Sequence, residues 1–181
     1  MLLEELIIKL GSVKSTPNKG TEFKIENGIL YILGTDDDRD WIINFRAFRW
    51  GFHEGFLEEA QLLRYKLEYD YNDPEIRMIV GHSAGAAIGG FLGYMLDVPV
   101  IALGCPRYFN RNFLPQVAEY SDKKVVYFDL NNDYITAIPP WYSRGEVSVR
   151  AGSSVGFSHY LLDYQKHHGK FDLGKLAKYS I

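Results

Sequence analysis

The sequence predicts an α/β protein, with a mostly parallel central sheet covered by helices on both faces in a compact three-layer αβα arrangement. Three observations lead there. Apolar runs of strand character recur at residues 29–33, 75–80, 98–103 and 124–130. Helix-length stretches lie between them, above all at 54–71 and 84–96. Each apolar run stops at a tight turn signal: Gly34-Thr35, Gly81 to Gly85, Gly104-Cys105-Pro106-Arg107 and Asn131-Asn132-Asp133. Strands that alternate with helices over short connections form a parallel sheet, whose ligand chemistry lies beyond the carboxyl ends of its strands.

The first ten residues carry Glu4 and Glu5 where a secretory signal needs a basic region, so they read as folded chain. Pro17 and Gly20 interrupt a polar stretch, and Asn27-Gly28 is a hairpin turn between residues 21–26 and 29–33. Ile29-Leu30-Tyr31-Ile32-Leu33 is apolar throughout, as in a strand buried on both faces. From Glu54 to Tyr71, Phe56, Leu57, Ala60, Leu63, Leu67 and Tyr71 recur at helical spacing, and Asn72-Asp73-Pro74 ends the helix. The run 75–80 leads directly into Gly81-His82-Ser83-Ala84-Gly85 and a Gly-rich helix, which predicts strand, tight turn and helix in succession. Residues 147–151 add a last strand before a helix over 158–168, with Ser158 as its N-cap and Gly169 closing it.

Composition bounds the function. The 181 residues, 46% hydrophobic and 24% charged, suit a single domain over 1–181. A net charge of −3 lacks the basic footprint of a nucleic-acid binder. One cysteine, Cys105, makes no internal disulfide. No run reaches the ~20 apolar residues that span a bilayer; with no signal peptide seen, the expected location is cytoplasmic.

Gly-x-Ser-x-Gly occurs twice, around Ser83 and around Ser154. The pattern places a nucleophile on a strained strand-to-helix turn, where a Cβ two residues to either side would collide as the chain doubles back. Ser83 has that setting; its plainer reading is a glycine turn without chemistry. Ser154 has too little chain after it for an acid and a base. The glycines that follow Ser83 weaken helix propensity and point to close helix–sheet contact.

A serine hydroxyl needs a histidine to take its proton and an acid to orient that histidine. His167 and His168, flanked by Lys166 and Lys170, read as a solvated helix end. His159 opens an amphipathic stretch and is the chosen base, the alternative being a core histidine satisfied by hydrogen bonds. Among the acids, Asp97 and Asp122 read as turn residues, and Asp129 lies within a strand, where it is costly if unpaired. Asp133 stands just past a strand's carboxyl end and is the chosen acid, although it is equally suited to cap a turn. The amide of Ala84, after the nucleophile, and Thr35, after another central strand, fit an oxyanion hole.

Taken together, these segments resemble the class 3 lipases, the fungal triacylglycerol lipase-like branch of the α/β-hydrolases. Gly34-Thr35 with Asp40-Trp41-Ile42 is similar to the family's oxyanion segment, and His53-Glu54-Gly55-Phe56 to its H-x-G-F motif. The turn at Ser83 resembles its nucleophile motif, and Gly104-Cys105-Pro106-Arg107 its G-x-P-R turn. Asn132-Asp133-Tyr134-Ile135 with Pro139-Pro140 resembles its acid segment, and Ser158-His159-Tyr160 its terminal histidine segment. The resemblance implies a Ser83, Asp133 and His159 triad and an oxyanion hole at Thr35 and Ala84. It also implies carboxylic ester hydrolysis of lipid or small acyl esters with no metal or organic cofactor, and structural roles for His53 and Arg107. Leu33 departs from it, standing where the family commonly has Arg before Gly-Thr.

The chain is trimmed at several points relative to typical members. Residues 36–52 stand where the family carries its lid. Ile42, Ile43, Phe45, Phe48, Trp50 and Phe52 there suit an acyl-binding wall, a flap touching a lipid interface, or simply core packing. A reduced lid leaves lipase, esterase and phospholipase activity open. The other readings are an acyltransferase using the same site, and a non-catalytic lipid- or protein-binding module on a hydrolase scaffold.

Overall fold

A computed structural model describes residues 3–13, 21–34, 48–49, 52–151 and 159–171. Its centre is a six-stranded sheet. Strands β1 (Glu22–Glu26), β2 (Ile29–Leu33), β5 (Met78–His82), β6 (Val100–Leu103), β7 (Val125–Leu130) and β8 (Ser148–Ala151) lie side by side in that order. The β1–β2 hairpin is antiparallel and every other pairing is parallel. Asn27 and Gly28 make the hairpin turn at φ of 54° and 73°, as a two-residue loop requires. A separate two-stranded ribbon joins β3 (Phe48–Arg49) to β4 (Phe52–His53).

The continuous apolar runs are explained by burial on both faces. Alternate residues of each strand enter different layers. Leu30, Ile32, Ile79, Val100, Ala102 and Tyr127 pack under helices α2 (Glu54–Tyr69), α3 (Ala84–Leu96) and α4 (Pro115–Lys124). Tyr31, Val80, Ile101, Leu103, Val126 and Phe128 face the opposite layer, built from α1 (Leu3–Gly11) and the segment after β8. Helix α1 buries Leu3, Leu6, Ile7 and Leu10, one stripe at helical spacing.

Close helix–sheet contact through glycine is borne out. A Cβ on Gly93 of α3 would stand 2.5 Å from Val100 Cγ2, and one on Gly89 would stand 3.1 Å from Ile79 Cγ2.

Some expectations are corrected. Helix α2 ends at Tyr69, and Tyr71 lies exposed, its ring edge-on to Phe23. Asp122 is not in a turn; it sits in the last stretch of α4, where both carboxylate oxygens accept from Arg111 at 2.8 and 2.7 Å. The last helix, α5 (Leu161–His167), starts at Tyr160 rather than Ser158 and passes into a 3-10 turn, His168–Lys170. The His159 carbonyl is already engaged by His82, which leaves the helix to begin later. His167 is buried rather than solvated, its Nδ1 donating to the Asp163 carbonyl at 2.8 Å.

Candidate active site

Ser83 stands between the last residue of β5 and the first of α3, with φ 54° and ψ −127°. A non-glycine residue in such a conformation costs on the order of 1–3 kcal/mol and persists only where its surroundings hold it. Here its N–H donates to the Leu103 carbonyl at 2.9 Å, and its own carbonyl accepts from Ala86 N at 3.0 Å. The two flanking glycines are steric requirements. A Cβ on Gly81 would lie 2.5 Å from the Gly85 carbonyl oxygen and 2.7 Å from Ala86 Cα, and one on Gly85 would run into the Ile32 carbonyl. The turn therefore nests against β2 at backbone distance.

Asp133 follows β7, its N–H bonded to the Leu130 carbonyl at 2.9 Å. Its side chain is fully buried yet well supplied with donors. Ile135 N donates to Oδ1 at 3.1 Å, Tyr164 Oη donates to Oδ2 at 2.7 Å, and His159 Nδ1 lies 2.9 Å from both oxygens. Such a set stabilises a buried carboxylate that would otherwise be costly. Burial, reinforced by the charge of Asp133, raises the Tyr164 phenol well above its ordinary range, so this hydroxyl stays protonated as a donor.

His159 is fully buried. With Nδ1–H donated to Asp133, the lone pair is on Nε2, which accepts from Ser83 Oγ at 2.8 Å. Residues 83, 133 and 159, separated by dozens of positions along the chain, thus form one chain of hydrogen bonds. Chemically the arrangement suits transfer of the serine proton to imidazole with the resulting charge held beside a carboxylate.

The Ala84 amide opens helix α3. Beside it Gly34 leaves room, since a Cβ there would lie 3.0 Å from Ser83 Cβ and 3.2 Å from Ala84 N. Thr35 lies outside the described residues, as do Ser154, Ser158 and most of the 36–52 segment, including Ile42, Ile43, Phe45 and Trp50. Of that segment Phe52 is partly buried against the core, and its carbonyl accepts from Tyr142 Oη at 2.9 Å.

His53 and Arg107 act as braces. His53 caps α2 by accepting from Phe56 N at 3.4 Å and stacks on the Phe56 ring, and burial lowers its pKa to about 4. Arg107 Nη1 donates to the Pro140 carbonyl at 3.0 Å, tying the exit of β6 to the segment after Asp133.

Asp129 is buried but paired. Arg144 grips both its oxygens, and Ser148 Oγ donates to Oδ2 at 2.7 Å, which leaves Asp133 as the acid facing His159. A cavity of about 390 Å³ next to the acid segment is lined by Arg107, Arg111, Arg144 and Arg150, a polar wall unsuited to an acyl chain. Among the described residues no cluster of three or more His, Cys, Asp or Glu side chains suits a metal ion, and no helix is long and apolar enough to cross a membrane.

Two participants were not singled out in the sequence, His82 and Tyr164. Tyr164 occupies an apolar helix face and reads as core; its hydroxyl is the only hint of a polar task. His82 was visible only as the variable residue of the glycine–serine motif.

The class 3 lipase family, by its sequence profile, matches residues 2–143, a span that holds Ser83 and Asp133 and stops before His159. Among solved structures, Lip2 lipase of Yarrowia lipolytica aligns with a TM-score of 0.58 at 18% identity, covering 71% of this chain and 60% of that one. The N225Q mutant of MDLA from Penicillium cyclopium aligns at 0.54 with 18% identity, covering 79% and 62%. The triacylglyceride lipase of Rhizomucor miehei aligns at 0.51 with 16% identity, covering 73% and 60%. The sheet and its helices have the α/β-hydrolase fold of these structures, and the chain spans less than two thirds of the length of each. No curated protein matches the chain in sequence.

Proposed function

The chain belongs to the class 3 lipase family, and from that premise we propose that it is a serine carboxylic ester hydrolase acting on acyl esters, lipid esters among them, as one domain over residues 1–181. The observation that carries the reading is the geometry at Ser83: Oγ 2.8 Å from His159 Nε2, with His159 Nδ1 2.9 Å from Asp133.

Ser83 Oγ attacks the acyl carbonyl carbon while its proton passes to His159 Nε2, and the C–O π bond becomes an oxyanion. The Ala84 amide and Thr35 stabilise that charge, each donor being worth on the order of 10²–10³ in rate. Asp133 stabilises the imidazolium without taking its proton. Collapse of the tetrahedral species breaks the ester C–O bond, and His159 protonates the departing alkoxide. Water then attacks the acyl-serine, delivering one proton to His159 and through it to Ser83 Oγ, and the carboxylic acid leaves.

Contact with a lipid surface is part of the same proposal. Tyr134 and Tyr160, 69% and 60% exposed, immediately follow the acid and the base, and amphipathic rings in such places suit a lipid–water boundary. The test is hydrolysis of p-nitrophenyl butyrate and of an emulsified triacylglycerol by wild type and Ser83→Ala. The reading predicts turnover of at least one ester that Ser83→Ala loses. Turnover of neither, or equal turnover by the variant, would reject it.

A further inference from the structure

His159 is held at both ends. Its ring bridges Ser83 and Asp133, and its main-chain carbonyl lies 2.8 Å from His82 Nε2. A carbonyl oxygen only accepts, so His82 carries its proton on Nε2 and donates. We propose that His82 is a positioning residue for the base, clamping the His159 main chain so that its imidazole is presented to Ser83 already aimed. Its catalytic consequence rests on the hydrolase reading above; the clamp itself does not.

Neighbouring residues 82 and 83 grip the same distant residue, one by its carbonyl and the other by its ring. A single strained turn therefore sets both the nucleophile and the place from which the base reaches it. A ring held only at its reacting atoms moves with any shift of its backbone, and misplacement by about 1 Å costs on the order of 10²-fold in rate. The clamp also takes a carbonyl that would otherwise have to be satisfied within the short helix α5.

Histidine suits the task on chemical grounds. The donor is 7% exposed and has to remain uncharged beside an imidazole that becomes cationic in each cycle. Burial and the neighbouring His159 lower the His82 pKa to about 3, so it donates as a neutral ring at any working pH. Lysine or arginine would place a fixed charge against the imidazolium. The ring also packs at 5.2 Å from the His159 ring and edge-on to Tyr164 at 5.7 Å, the residue that donates to Asp133. His82 thus touches the base directly and the acid through one intermediary.

Glutamine and methionine at position 82 are nearly isosteric and differ in the N–H donor. His82→Gln and His82→Met are compared for kcat and KM on p-nitrophenyl butyrate, for melting temperature, and for the downfield proton NMR signal of His159 Nδ1–H, identified by its loss in His159→Ala. The clamp predicts that His82→Met lowers kcat about 10- to 100-fold at unchanged KM and broadens the His159 signal, while His82→Gln restores both. Equal kcat and an equally sharp signal in the Met and Gln variants would overturn it, whether both resemble wild type or both are impaired. If wild type hydrolyses no ester, the hydrolase reading fails, and the NMR signal alone decides the clamp. Should His82→Met not fold, His82→Phe, which keeps an aromatic ring and lacks the donor, takes its place.

Discussion

The two halves of the site are held by different kinds of force. The turn at 81–85 is held by steric necessity: glycines at two positions where a Cβ has no room, and a strained serine between them. The proposed base, His159, is held by hydrogen bonds to distant residues, namely Ser83, Asp133 and His82. Steric necessity leaves a mark in the local sequence, whereas a distant hydrogen-bond partner does not. The difference also sets how each half fails. A rigid turn breaks the fold when its glycines gain a side chain; a hydrogen-bonded imidazole loses its aim while the fold survives.

That contrast can be broken most visibly at Gly85. Its Cβ would strike the backbone of Ile32, which cannot yield as a flexible side-chain tip does. Gly85→Ala is expected to cost about 4 kcal/mol or more, the range of severe core lesions, and urea denaturation measures it; a loss under about 1 kcal/mol would contradict the steric account. On the other side of the comparison, Tyr164→Phe removes one donor from a buried carboxylate at no cost in ring packing. Its expected loss is about 2 kcal/mol, with a fall in kcat, and a variant as stable as wild type would show the hydroxyl to be idle.

Per histidine and per pH unit, the pH dependence of stability comes next in size. His82 and His53 have pKa values of about 3 and about 4, both lowered chiefly by burial. The unfolded chain takes up these protons below about pH 6.5, where the fold still refuses them. Stability therefore falls as pH drops from about 6.5 toward 4, with a slope approaching about 1.4 kcal/mol per pH unit for each histidine. Urea midpoints at pH 7 and pH 5 test it, and His82→Met should flatten the slope. The smallest expected effect is at Ser83 itself. Ser83→Gly relieves the positive φ that Ser83→Ala retains, so the glycine variant should be more stable than the alanine variant by about 1 kcal/mol.

The legible parts of the molecule follow the same division. Alternating strands and helices, the Asn27-Gly28 hairpin and the glycine spacing at Ser83 all arise from local chemistry, and each was readable from neighbouring residues. The need of Asp129 for a partner was readable too, because a strand-borne carboxylate is costly if unpaired; the structure supplies Arg144, 15 residues away. The tasks of His82 and Tyr164 were not. Each is fixed by a bond to a residue tens of positions distant, and each side chain satisfies the pattern expected of ordinary core. The same cause displaced the N-cap of the last helix from Ser158 to Tyr160. The His159 carbonyl bonds to His82, at the end of β5, instead of along the helix, a commitment that no local propensity records.

The central claim is that Ser83 is a nucleophile activated by His159, and covalent labelling with a fluorophosphonate tests it without knowledge of the natural ester. Intact mass is read on wild type, Ser83→Ala and His159→Ala, each first shown to be folded by its melting curve. The account predicts one adduct on wild type and none on Ser83→Ala, with labelling of His159→Ala slowed by orders of magnitude. An unlabelled wild type, or a label that persists in Ser83→Ala, would contradict it.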